Sequence, residues 1–242
     1  MKISEKEWLK YRNSLSRINK RAESEFIAWI DSKGGYANVE KTEAVNYAYA
    51  LATKYGEASA SLSALMYDEI AEFSGADVPP AEVADTATYQ EVAKAINGAA
   101  KVSTLSSYLG GVVGRLVKQA GADTTLKNAK RDHAQFAWIP SGDTCIFCLM
   151  LAMEGWKDAS KKGGKHAEHI HSNCDCTYSV RFDTETTVGG YDPSKYKQIY
   201  ENAEGNTQNE KINSIRRDYY ERNKESINEH KRIAYEKNNE SE

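Results

Sequence analysis

A chain of 242 residues can bury a core of its own without disulfides, so its four cysteines are not explained by a need for staples. Its 32 basic and 35 acidic side chains leave a formal net charge of -3, which removes any global excess of positive charge able to hold nucleic acid or a membrane surface by field strength. No run approaches the roughly 20 apolar residues of a membrane span, and the opening MKISEKEWLKYRN lacks the apolar centre of a secretory signal, so folding in a cytosol is expected.

The first segment reads as a long helix. Ser4 with Glu7 three positions on makes a capping-box start, and Gly34-Gly35 ends it. Trp8, Tyr11, Leu15, Ile18, Ala22 and Trp29 recur at steps of three and four, with Phe26 where a strict heptad would place Glu25, giving one apolar face for packing on its own domain or on another subunit. A second helical stretch, rich in Ala, runs from about Val39 to Phe73 with Val45, Leu51, Leu62, Leu65, Met66, Ile70 and Phe73 as its apolar set. Ser74-Gly75 and Pro79-Pro80 stop it, and Gly56 is a candidate break. Shorter helices follow at about Thr88 to Ile96 and Ser103 to Ala120. In the latter, Gly110, Gly111 and Gly114 each cost about 1 kcal/mol relative to Ala, a cost that close helix packing would explain.

From Phe136 the character changes. Phe136-Ala137-Trp138-Ile139 reads as a short strand ending at Pro140, with Ser141-Gly142-Asp143 as turn chemistry. Cys148 to Gly155 reads as two turns of helix and Lys161 to His166 as a basic loop. Tyr178, Val180 and Phe182, alternating with Ser179 and Arg181, have the period of a half-buried strand. Beyond Gly189-Gly190 the charges are interleaved over a sparse stripe of Ile212, Ile215, Tyr219, Ile227 and Ala234, the pattern of a solvated helix or partly disordered tail. The expected fold is therefore α+β, mainly α: a helical N-terminal region over 1–124, a small zinc-stabilised α+β domain over 125–190, and a charged helical C-terminal arm over 191–242.

All the cysteines fall between 145 and 176. In a reducing compartment such clustering points to metal binding or catalysis before disulfides. Cys145 and Cys148 form C-x-x-C, a turn that presents two thiolates to one ion; Cys174 and Cys176 form C-x-C, which on an extended strand aims both side chains to one face. Four thiolates would close a tetrahedron and leave no open position, the mark of a structural zinc site, with His171, and beside it His169, as substitute donors. Thiols that merely pack are the competing reading.

Three catalytic readings compete as well. His166-Ala167-Glu168 has the H-x-E form of zinc deaminases, but their cysteine pair follows it, whereas here it precedes. A ββα-metal nuclease built around a structural zinc would use His169 and His171, without an identifiable set of further catalytic groups. A cysteine nucleophile with His133 or His171 as base leaves three cysteines unexplained. Asp143 and Glu154 read as turn and helix-face residues and His133 as a surface or capping residue, so no catalytic residue is assigned.

Asp143-Thr144-Cys145-Ile146-Phe147-Cys148, then Gly155, then His171-Ser172-Asn173-Cys174-Asp175-Cys176 resembles the head-morphogenesis domain of the phage Mu F type, over about residues 125 to 185. The segment Tyr47 to Ala100 is similar to the helical N-terminal part of such proteins in phages of Gram-positive bacteria. Ser172 stands where the family often has Pro, and Asp175 where it often has a basic residue. The resemblance implies a bacteriophage minor capsid protein, structural, present in few copies and associated with the portal or the inner capsid, acting in virion assembly or DNA delivery. Its partners would be portal and major capsid proteins, with a local contact to packaged DNA, and with neither a membrane nor a small-molecule substrate. A general nucleic-acid-binding zinc module is a further rival, which the near-neutral composition argues against and for which Lys161, Lys162 and Lys165 with Arg181 would be the local patch. Its place would be the phage head, and the host cytoplasm during assembly. Some members are fused to capsid-maturation proteases or toxins, and a metal-dependent nuclease or protease acting in head maturation is the alternative function; this chain is expected to end too soon after the domain to carry such an enzyme.

Overall fold

The computed structural model describes residues 2–141, 144–159, 170 and 174–239. Among them lie seven α-helices and five short strands, an α+β fold that is mainly α. The chain divides into two compact units, one made of Met1–Ile139 with Trp156–Tyr191 and the other of Pro140–Gly155 with Asp192–Glu242.

The first unit is built on α1 (Glu5–Ser32), α2 (Lys41–Ser74), α3 (Tyr89–Ala100) and α4 (Ser106–Arg131). The capping box expected at Ser4 is present in full: Ser4 Oγ accepts from the Glu7 backbone N–H while Glu7 reaches back to the Ser4 N–H. The buried face of α1 is Trp8, Tyr11, Leu15, Asn19, Ala22, Phe26 and Ile30, which corrects the expected stripe at two places. Ile18 and Trp29 are only partly buried. The observed steps of three, four and four repeat every eleven residues, close to the natural pitch of a straight helix, whereas a heptad drifts off the buried face. A polar Asn19 thus takes a core position that apolar counting assigned to its neighbour.

Gly56 is not a break, since α2 runs through it unbroken. A Cβ there would lie 2.9 Å from Thr86 Cγ2, so the glycine makes room for the connection that follows the helix. Leu65 and Phe73 also depart from the expected core set, being 62% and 55% exposed. Gly75, at φ 65°, closes α2, with the Ala76 N–H reaching back to the Ala71 carbonyl in a Schellman arrangement.

Helix α4 extends eleven residues past Ala120, through a sequence that reads as polar. Those polar groups hold the connection between α2 and α3. Asn128 accepts from the Glu82 N–H and donates to the Glu82 carbonyl, Thr124 Oγ1 accepts from the Ala84 N–H, and Arg131 donates to the Pro79 and Pro80 carbonyls. Positions 124, 128 and 131 share one helix face, so three side chains satisfy the backbone of a stretch that makes no ladder of its own.

Of the glycines expected to allow close packing in α4, Gly110 does so, while a Cβ on Gly114 would meet its neighbours only at ordinary contact distance. A Cβ on Gly110 would meet Ile27 Cγ1 at 2.6 Å and the Glu23 carbonyl oxygen at 3.2 Å, whereas one on Gly98, exposed on α3, meets nothing within 4 Å. Gly110→Ala should therefore lower the thermal midpoint by overpacking worth about 1–3 kcal/mol. Gly98→Ala should raise it through helix propensity worth up to about 1 kcal/mol. Equal shifts of the same sign in thermal melts would show that the close approach of α1 and α4 is not what excludes a side chain at position 110.

Strand β2 (Gln135–Ile139) is central in an antiparallel sheet ordered β3-β2-β4, with β3 (Lys157–Asp158) on one side and β4 (Thr177–Arg181) on the other. Trp138 stands opposite Tyr178, their rings 4.6 Å apart and near perpendicular. The half-buried strand expected at 178–182 is buried on both faces, since Tyr178, Ser179 and Val180 are all covered. Alternation cannot anticipate this, because helices α2 and α4 cover the sheet. Strand β1 (Lys2–Ile3) pairs in parallel with β5 (Thr187–Val188).

In the second unit α5 (Ile146–Met153) packs on α6 (Pro193–Glu201) and α7 (Gln208–Asn239). Of the expected tail stripe, Ile215 is buried and Ile212 and Tyr219 are partly so.

Candidate metal centre

Each cysteine pair is placed by a simple local device. Cys145 is the N-cap of α5, its carbonyl accepting from the Leu149 N–H at 2.9 Å, so Cys148 lies one turn inside the helix and is fully buried. Cys174 and Cys176 flank Asp175 immediately before β4. Cys148 and Cys174 are buried, Cys145 and Cys176 partly so.

The sulfurs of Cys174 and Cys176, both in the first unit, lie within 4.8 Å of each other, so this pair can offer two thiol ligands to one ion. His171, His169 and His166 lie outside the described residues, as do Asp143 and the basic stretch 161–165. His133 is exposed, in the left-handed region at φ 53°, just past the end of α4. The Ala134 N–H reaches back to the Ala129 carbonyl, which makes His133 a helix terminator, the capping role expected of it. Glu154 is the C-cap of α5.

A cavity of about 20 Å³ adjoins the C-x-C pair, lined among others by Asn19, Ser59, Lys118, Trp138, Cys174 and Cys176. Lys118, from α4, donates from its ammonium to the Cys174 carbonyl oxygen. Burial pulls Lys118 below its ordinary range, while Cys174, Asp175, Glu23 and Cys176 pull the other way. Lys20 stands 3.7 Å from the Asp175 carboxylate. Spacing did not single out Lys118, which the three-dimensional approach of α4 to residue 174 alone reveals.

The model of the VG15 protein family matches residues 2–203. The chain belongs to the VG15 family. This is a family of viral, phage proteins, and its match takes in both cysteine pairs and every element from β1 to α6. No curated protein and no solved structure matches the chain. Among the described residues no helix is long and apolar enough to cross a membrane.

Proposed function

We propose that this VG15 protein is a minor head protein of the Mu F type, a structural component associated with the portal or the inner capsid surface that acts in head assembly or DNA delivery. The observation that carries the reading is the D-x-T-C-x-x-C and H-x-N-C-x-C pattern, with the Cys174 and Cys176 sulfurs side by side, within a chain of phage family. The ion is zinc, held by Cys145, Cys148, Cys174 and Cys176, with His171 as the substitute donor. A closed thiolate set supplies structural tethering without an open position for substrate, so the ion's contribution is folding free energy.

Quantitative mass spectrometry of density-purified proheads and mature heads, from the phage that encodes the chain, tests the placement. The chain should co-purify at a small and constant ratio to the portal protein. Its absence from both particle types, with the whole amount left in the soluble fraction, would overturn the head-protein reading.

A further inference from the structure

We propose that Lys118 is a positioning residue of the metal centre, its charge compensating the thiolates and its hydrogen bond fixing the backbone of Cys174. The inference rests on the zinc reading above and adds a residue that the cysteine pattern does not contain.

The geometry is local to the α4–β4 region. The Lys118 side chain leaves α4, is only partly accessible, and donates a hydrogen bond to the carbonyl oxygen of Cys174, one of the donors. It lines the same small cavity as Cys174 and Cys176. An ammonium withdrawn from water and bonded to a neutral acceptor is poorly compensated; it is retained at low cost only where negative charge lies close. Asp175 and Glu23 face it from two elements, but Asp175 also answers to Lys20, and Glu23 sits in a half-buried place that disfavours its own charge. The remaining negative charge arises when the thiols bind an ion as thiolates. Zinc with four thiolates carries two net negative charges, and with three thiolates and an imidazole one, which a nearby cation compensates.

The hydrogen bond has a second effect. Cys174 lies ahead of β4, before the β2–β4 register begins at Thr177. Anchoring its carbonyl to α4 limits the rotation that would swing the Cys174 sulfur away, which is how outer partners orient metal ligands.

The test compares zinc dissociation constants of the full-length wild-type chain, Lys118→Met, Lys118→Gln and Lys118→Arg, by competition against a chromophoric chelator, with circular dichroism of each metal-free protein as a control for folding. Lys118→Met and Lys118→Gln should weaken zinc binding by about 10–100-fold, and Lys118→Arg, which keeps both charge and donor, should restore most of it. Wild-type affinity in both uncharged variants overturns the proposal while leaving the metal reading intact. A loss in Lys118→Arg as large as in Lys118→Met refutes charge compensation. A wild-type chain that binds no zinc removes both the metal reading and this one.

Discussion

Asp132→Asn should lower the stability of the first unit by about 2–4 kcal/mol at neutral pH, and the difference from wild type should vanish in acid. Asp132 caps α4 with its side chain almost wholly covered, and its carboxylate takes two hydrogen bonds from Arg131, at 2.7 and 2.8 Å, and one from the Tyr67 hydroxyl at 2.7 Å. Arg131 simultaneously holds the Pro79 and Pro80 carbonyls. One carboxylate therefore ties together α2, the end of α4 and the connection between α2 and α3. Removing the charge from such a largely desolvated pair leaves the partner cation uncompensated, which costs far more than the surface pairs on this chain are worth.

The pH dependence follows from the direction of the shift. Burial would raise the Asp132 pKa, but the bonds from Arg131 and Tyr67 outweigh it and hold the group below its ordinary 3.8. A group depressed on folding contributes stability that is complete above the unfolded value and is lost as pH falls through the folded one. Urea denaturation at pH 7 and pH 3 reads this directly. All four tryptophans, Trp8, Trp29, Trp138 and Trp156, belong to the first unit, so intrinsic fluorescence reports on that unit alone. An equal gap between wild type and Asp132→Asn at both pH values, or none at pH 7, would refute the account.

The Asp132 network also shows where sequence patterns stop being informative. Ser4 and Glu7, the strand at 136–139 and the two cysteine pairs are legible because each is a local device, complete within a few residues. Thr124, Asn128 and Arg131 look like the polar end of a solvated helix, and only the arrival of Pro79 to Ala84 from elsewhere in the chain makes them interior residues. Lys118 beside Cys174 belongs to the same class, a polar group met by a distant partner, and Asn19 is a polar residue on the buried face of α1 that apolar counting passes over. The β1–β5 ladder is two residues long on each side and joins segments more than 180 positions apart, so no periodicity could reveal it. Leu65 and Phe73 fail in the opposite sense. Their spacing of eight puts them on one face of α2, but that face borders an open groove also lined by Glu7, Glu69 and Glu72 instead of the core.

The cysteines give the second large effect. Cys174→Ser should abolish stoichiometric zinc in protein purified without chelator, because Cys174 is buried and its one near thiol in the first unit, Cys176, is itself a donor. Zinc present at a thousandfold above its dissociation constant adds about 4 kcal/mol to the state that binds it, so a strong chelator should lower the unfolding midpoint of wild type and leave Cys174→Ser unmoved. Trp138, lining the same cavity as Cys174 and Cys176, supplies a fluorescence signal for the loss. The fourth donor is decided by comparing Cys145→Ser with His171→Ala in protein loaded with Co²⁺. Whichever variant shifts the ligand-field bands has lost a ligand, since replacing sulfur by nitrogen or oxygen changes the field at the metal. Zinc retained in full by Cys174→Ser, or a chelator that moves neither midpoint nor fluorescence in wild type, would mean that the thiols only pack.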